Sequence, residues 1–285
     1  NAQFDLAQKA KFPVIILIGG VDGAGKGETV NLLNAWMDPR HIVAHAMGEQ
    51  SDEERERPPM WRFWRALPPK GKIGVFFGSW YTAPIVQRVM GKTKASALDQ
   101  SIDEINRFEK MLTNEGALIV KFWFHLAKDV QRKRLKSLEK DPKTRWRVTE
   151  LDWERFKLYD KFRKVSEHAL RATSTAEAPW IVVEGADPRY RNLTTAKTLL
   201  QALRKRLDNP AQPVPSNAPP LQAAIDRLDV FDKLDMTQKI ARKKFDADLE
   251  KYQGKLNLRT RDERFRSMSV IALFEGSDAA GKGGA

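Results

Sequence analysis

At 285 residues, with hydrophobic residues at 41% and charged residues at 31%, the sequence has room for one large globular domain and part of another. Fifty Lys and Arg against 37 Asp and Glu give a net charge of +13, which favours an anionic partner: nucleic acid, an acidic membrane or a phosphate-rich small substrate. The lack of cysteine excludes disulfides and cysteine-bound zinc, no apolar run approaches the ~20 residues of a membrane span, and no signal peptide is visible, so the cytoplasm is the default location.

In chain order, Val14 to Ile18 is a short, continuous apolar run ending in Gly19-Gly20, as expected of a buried parallel strand. Glu28 to Trp36 has helical spacing and is stopped by Pro39. Ile73 to Phe77 predicts a second buried strand. The capping box Ser101-Ile102-Asp103-Glu104 predicts the opening of a helix with Ile102, Ile105, Phe108 and Leu112 on one face. Leu118 to Phe124 and Trp180 to Val183 predict a third and a fourth strand. Alternating strands and helices of this kind argue for an α/β fold with a doubly wound parallel sheet.

Between the third and fourth strands, residues 121–171 carry sixteen Lys and Arg against eight Asp and Glu. Asp141-Pro142 predicts a turn between a helix around Val130 to Leu138 and a longer one opening at Thr149-Glu150-Leu151-Asp152. The segment reads either as a solvated helical hairpin or as a basic lid over a phosphate site. A proline-dense linker at 209–220 follows a helix ending near Leu207, and separates a first domain, 1–208, from the start of a second, 221–285. A basic helix from about Thr237 to Tyr252 and a strand from Ser269 to Phe274 are expected in that second part. The chain begins with Asn1 and stops inside a glycine-rich motif, so it is expected to be a piece of a longer one.

Gly20-Val21-Asp22-Gly23-Ala24-Gly25-Lys26-Gly27 fits the phosphate-binding loop Gly-x-x-x-x-Gly-Lys, after a predicted strand and before a predicted helix. Glycines let backbone N–H groups wrap a phosphate at the positive end of the helix, and Lys26 would reach the outer phosphates. Gly27 stands where Ser or Thr normally offers a hydroxyl to magnesium, which leaves Asp22 to supply an oxygen. The same pattern recurs 256 positions later, with Gly276, Asp278, Ala280, Gly281, Lys282 and Gly283 matching Gly20, Asp22, Ala24, Gly25, Lys26 and Gly27. This predicts a P-loop kinase-like domain duplicated in tandem.

These residues resemble the polyphosphate kinase 2 family. The resemblance rests on Gly-x-Asp-x-Ala-Gly-Lys-Gly, complete at the first copy from Gly20 and, with Ala279 and Ala280 after the aspartate, at the second. It also rests on Ser79-Trp80-Tyr81, Val89-Met90-Gly91, Asp141 to Thr149 with Asp152-Trp153, Ser174 to Trp180, and Asp187-x-Arg189-Tyr190. It implies phosphoryl transfer between inorganic polyphosphate and a nucleotide, with Mg²⁺ on Asp22 or Asp278 and phosphate held by the loop glycines, Lys26, Lys282 and basic lid residues. Arg145 and Arg147 are the first lid candidates, and Lys133, Arg134 and Lys136 come next. Trp146 and Trp153 are expected to pack the lid.

One departure shapes the reading of the first copy. Family members carry Asp-Arg before Ser-Trp-Tyr, where this chain has Phe77-Gly78, and Asn and Arg after the tyrosine, where it has Thr82-Ala83. The first domain is therefore expected to be catalytically degenerate, with Asp278 and Lys282 the visible catalytic residues of the working copy. Tandem members of the family imply AMP as acceptor, among adenine and guanine nucleotides. The rival readings are an ATP-using nucleoside monophosphate kinase and a non-catalytic polyphosphate-binding module. Nucleic acid is disfavoured because no nucleic-acid module accompanies the basic cluster, and a homo-oligomer stays open.

Overall fold

The computed structural model describes residues 1–209, 237 and 239–273. The chain divides into two units, Asn1–Ser216 and Asn217–Ala285. The first holds α1 (Ala2–Lys9), β1 (Val14–Gly20), α2 (Lys26–Trp36), β2 (Ile42–Ala46), α3 (Asp52–Arg55), α4 (Trp61–Trp64), β3 (Ile73–Phe77), α5 (Thr82–Val89), α6 (Ala95–Asn114), β4 (Leu118–His125), α7 (Lys128–Lys140), a 3-10 turn (Arg145–Arg147), α8 (Glu150–Lys157), α9 (Tyr159–Thr173), β5 (Trp180–Glu184) and α10 (Pro188–Asp208).

The five strands form one parallel sheet in the order β2-β3-β1-β4-β5. Successive side chains of β1 point to opposite faces, and both faces are covered. Val14, Ile16 and Ile18 pack with Leu6 of α1, Val30 and Leu33 of α2, and Leu199, Leu203 and Leu207 of α10. Ile15 and Leu17 pack with Phe63 of α4, Ile85 and Val89 of α5, the apolar stripe of α6, and Ala169 and Leu170 of α9. This double burial is why β1 is apolar throughout and β4 nearly so, without alternation, the buried Lys121 of β4 being paired with Glu109.

Three details differ from the sequence reading. β2 was not foreseen: it is an edge strand in which Ile42 alone is buried, so it lacks an apolar run. α6 begins at Ala95, six residues before the apparent capping box. Ser101 lies inside the helix and its hydroxyl donates to the Ala97 carbonyl, a local bond that a mid-helix serine can form. The capping box at Thr149 and Asp152 does open a helix, but that helix stops at Lys157 and a new one starts at Tyr159.

In the second unit, α11 (Arg242–Thr260) is followed by a 3-10 helix, Glu263–Ser267, and neither has a buried residue. The helix expected from Thr237 to Tyr252 is thus shifted toward the C-terminus. The strand expected from Ser269 does not form over the described residues to 273; Val270, Ile271 and Leu273 are exposed. A parallel strand exists only where a neighbour takes its backbone hydrogen bonds, and none pairs here among the described residues. The linker from 210 and the second glycine-rich loop lie outside the described residues. Among those described, no helix is long and apolar enough to cross a membrane.

Candidate functional site: the glycine-rich loop of the first unit

The loop leaves the C-terminal end of β1, in the centre of the sheet, and enters α2 at Lys26. Open parallel sheets place ligands at this end of their strands. Gly20 has φ 134°, and a Cβ there would meet the Phe124 carbonyl oxygen of β4 at 2.0 Å, so the close strand approach requires glycine. Gly23 and Gly25 have φ 79° and 83°, a left-handed region that favours glycine. Gly25 caps α2 without a side-chain acceptor, which leaves first-turn N–H groups without intrahelical partners at the positive end of the helix.

The Lys26 ammonium donates to the Gly20 carbonyl at 2.6 Å and lies 3.3 Å from Asp22 Oδ1. It therefore closes over the loop it belongs to. Arg155 of α8 approaches the other Asp22 oxygen at 3.8 Å, and Gln131 of α7 donates to the Asp22 carbonyl at 2.9 Å. Arg134 of α7 reaches Glu28 at 3.1 Å, and its side chain lies 3.8 Å from where a Cβ on Gly23 would stand. Arg191, fully buried at the start of α10, donates to Glu28 at 2.8 Å and to Thr29 at 3.2 Å. Two elements of the basic segment, α7 and α8, thus touch the loop.

The sequence-predicted cations separate. Arg134 is beside the loop. Lys133 faces away from it, lining a cavity of ≈ 670 Å³ with Lys128, Asp129, Arg132, Lys136 and Phe156. The spacing of α7 explains this: 128, 132 and 136 share one side with 129 and 133, while Gln131 and Leu135 are buried on the other. Arg145 is exposed on the 3-10 turn, which Arg147 closes. Trp146 donates to the Lys143 carbonyl at 3.0 Å, and Trp153 donates to Glu139 at 3.3 Å and packs edge-on against Phe156. Asp278, Lys282, Gly276, Gly281 and Gly283 lie outside the described residues.

Sequence reasoning missed Arg155, Gln131, Glu28 and Arg191. No motif marks which of sixteen cations will touch the loop, because that depends on how α7, α8 and α10 pack. It also did not foresee the interior role of Ser79-Trp80-Tyr81. Trp80 Nε1 and Tyr81 OH donate to Glu109 of α6 at 3.0 and 2.7 Å, so these two aromatics are core residues.

The donors do not suit magnesium in this unit. Asp22 is the sole acidic residue of 20–27, and its carboxylate lies between Lys26 and Arg155. Phe77, half-buried against the core, ends β3 with no oxygen to offer. Among the described residues no group of three or more His, Asp or Glu converges into a metal site. Mg²⁺ demands near-octahedral oxygen ligation and gives up its waters reluctantly, so a single carboxylate already held by two cations is a poor anchor. The missing hydroxyl at Gly27 is not a matter of space, since a Cβ there would meet nothing within 4 Å.

Residues 2–210 match the family model of Polyphosphate kinase 2 (PPK2). The chain is 52% identical over 287 aligned positions to a polyphosphate:AMP phosphotransferase of Pseudomonas aeruginosa, covering all of this chain and 58% of that protein. It is 46% identical to a polyphosphate:AMP phosphotransferase of Pseudomonas syringae pv. tomato, covering all of this chain and 57% of that protein. The chain therefore spans little more than half the length of these curated relatives. Among solved structures, one from Pseudomonas aeruginosa described as a polyphosphate kinase 2 superposes with a TM-score of 0.80 at 47% identity, over 99% of this chain and 54% of that one. Polyphosphate kinase 2 from Arthrobacter aurescens superposes with a TM-score of 0.70 at 31% identity, over 72% of this chain and 74% of that one.

Proposed function

Because the chain belongs to the polyphosphate kinase 2 family, we propose that it is part of an enzyme that moves a phosphoryl group from inorganic polyphosphate to AMP, giving ADP. The observation that carries this reading is the loop from Gly20 to Gly27, left-handed at two glycines and closed by Lys26, at the C-terminal end of the central strand. The names of the two Pseudomonas relatives support polyphosphate as donor and AMP as acceptor.

Phosphoryl transfer needs positioning and charge neutralisation more than covalent help. In the first unit, the loop N–H groups, Lys26 and Arg134 supply an anion site. The segment from α7 to α8 serves as a lid, with Lys133 and its cavity neighbours offering a linear polyanion a second basic surface on the far side of α7. We read this unit as a holding domain, and the chain as a tandem duplication divided at a linker. Phe77 and the paired Asp22 support that reading, since they make a poor anchor for the metal ion. Catalysis then belongs to the second copy, with Lys282 following charge onto the transferred group. Asp278 would hold Mg²⁺, which when bound would supply positive charge to offset that of the phosphates. Cytoplasmic location and a nucleotide partner complete the proposal.

The test is donor identity. The full-length protein, given AMP and polyphosphate without ATP, forms ADP under this reading. ADP formation that requires ATP and ignores polyphosphate would instead identify an ordinary nucleoside monophosphate kinase.

A further inference from the structure

Arg191 is among the largest side chains of the first unit with no exposed surface, and its guanidinium ties the glycine-rich loop and the first turn of α2 to the turn after β5. Nε donates to Thr29 Oγ1 at 3.2 Å, in the first turns of α2. Nη2 donates to Glu28 at 2.8 Å. Nη1 donates to the Gly185 carbonyl at 3.1 Å, in the turn after β5, and stands 3.5 Å from the Ala24 carbonyl inside the loop. The guanidinium also fills the volume that a Cβ on Gly25 would occupy: that atom would lie 2.0 Å from Nη1 and 2.1 Å from Cζ. Gly185 closes the other side, since a Cβ there would meet the Ala24 carbonyl oxygen at 2.8 Å.

The local sequence aims this side chain. Asp187 caps α10 by accepting from the Tyr190 N–H at 2.7 Å, and Pro188 opens the helix, so Arg191 comes one turn in, facing the loop. Glu28 carries the connection further. The carboxylate that accepts from Arg191 also accepts from Arg134 of α7 at 3.1 Å, and Arg134 Nε is buried with no hydrogen-bond partner. A buried arginine usually marks a geometric requirement, because desolvating its charge is costly unless several fixed acceptors meet it.

We propose that Arg191 is a positioning residue of the phosphate loop, holding the Gly23–Gly25 turn in its anion-binding shape from behind and, through Glu28, setting the guanidinium of Arg134 beside the loop mouth. The inference rests on the reading that this loop binds phosphate. Arg191 itself touches no substrate. Lysine is not equivalent, because its donors radiate from one nitrogen, whereas the guanidinium presents Nε, Nη1 and Nη2 as a planar fork to Thr29, Gly185 and Glu28.

The test is hydrogen–deuterium exchange of the peptide spanning 20–30, in the chain with and without inorganic tripolyphosphate. Arg191→Met, Arg191→Lys and, as a control for stability alone, Leu199→Ala on the same helix are compared with the unaltered protein. Loop amides in both Arg191 variants are expected to exchange faster in the free protein, and to need about tenfold more tripolyphosphate for half-protection. Leu199→Ala is expected to lower the melting temperature and leave the loop unchanged. Loop exchange in Arg191→Met no faster than in Leu199→Ala overturns the proposal, as does full restoration by Arg191→Lys, which would reduce the role to charge. If tripolyphosphate protects no loop amide in the unaltered protein, the phosphate reading fails, while the free-protein comparison still decides the role of Arg191.

Discussion

The ammonium of Lys121 lies 2.7 Å from the Glu109 carboxylate, and both side chains are buried in the core of the first unit. Lys121 also donates to the Thr173 carbonyl at 2.7 Å, so β4, α6 and the end of α9 meet at one cation. Burial pushes the lysine pKa down, and the Glu109 charge opposes that shift. Removing one partner of such a pair strands the other. Lys121→Met is expected to destabilise the unit by about 3 kcal/mol, read from the urea midpoint. Replacing Glu109 as well does not restore stability, because Trp80 and Tyr81 would then lose their acceptor.

A second expectation concerns acid. Burial holds the pKa values of His45 and His125 below the usual 6.5, helped at His125 by the neighbouring Arg163. Between those lowered values and 6.5 the unfolded chain binds more protons than the folded one. The contribution of these groups to stability is thus complete above 6.5 and is lost as pH falls through the window. In His45→Gln/His125→Gln, the urea midpoint should fall less between about pH 7 and pH 5 than in the unaltered protein. An identical fall would show that other groups govern the acid limb.

Restoring the family's Asp-Arg pair carries a structural penalty here. Gly78 has φ 83°, and a Cβ on it would stand 2.5 Å from the Met47 carbonyl oxygen. Phe77→Asp/Gly78→Arg is expected to lose about 1–2 kcal/mol from the backbone alone, seen as a lowered melting temperature. An unchanged melting temperature would mean that the 77–78 turn rearranges at no cost.

Much of the first unit was legible because its logic is local. Four of the five strands are dominated by apolar residues, and the loop glycines sit between a strand and a helix where the motif needs them. β2 escaped because an edge strand with one buried residue has no periodic signature. Ser101 misled because a serine three residues before an acid looks like a cap, yet Leu98 was already on the buried face of the helix. At the loop, Gly20, Asp22 and Lys26 were readable as a motif. Arg155, Arg191 and Glu28 were not, because their partners lie up to 163 positions away and only packing brings them together.

The cavity side of α7 carries a prediction in salt. Polyanion binding releases condensed counterions, so each phosphate contact adds roughly 0.7–0.9 to the slope of log affinity against log salt, taking nucleic acids as the guide. Charge removal at Arg132, Lys133 and Lys136 together should weaken polyphosphate binding and flatten that slope by about 2. Equal slopes would place the polyanion elsewhere.

The proposed division of labour between a holding copy and a working copy is decided by polyphosphate-dependent ADP formation from AMP in the full-length protein, comparing Lys26→Ala with Lys282→Ala. Lys282→Ala is expected to abolish turnover, whereas Lys26→Ala is expected to keep it and to weaken polyphosphate binding. Loss of turnover in Lys26→Ala with activity retained in Lys282→Ala would overturn the division.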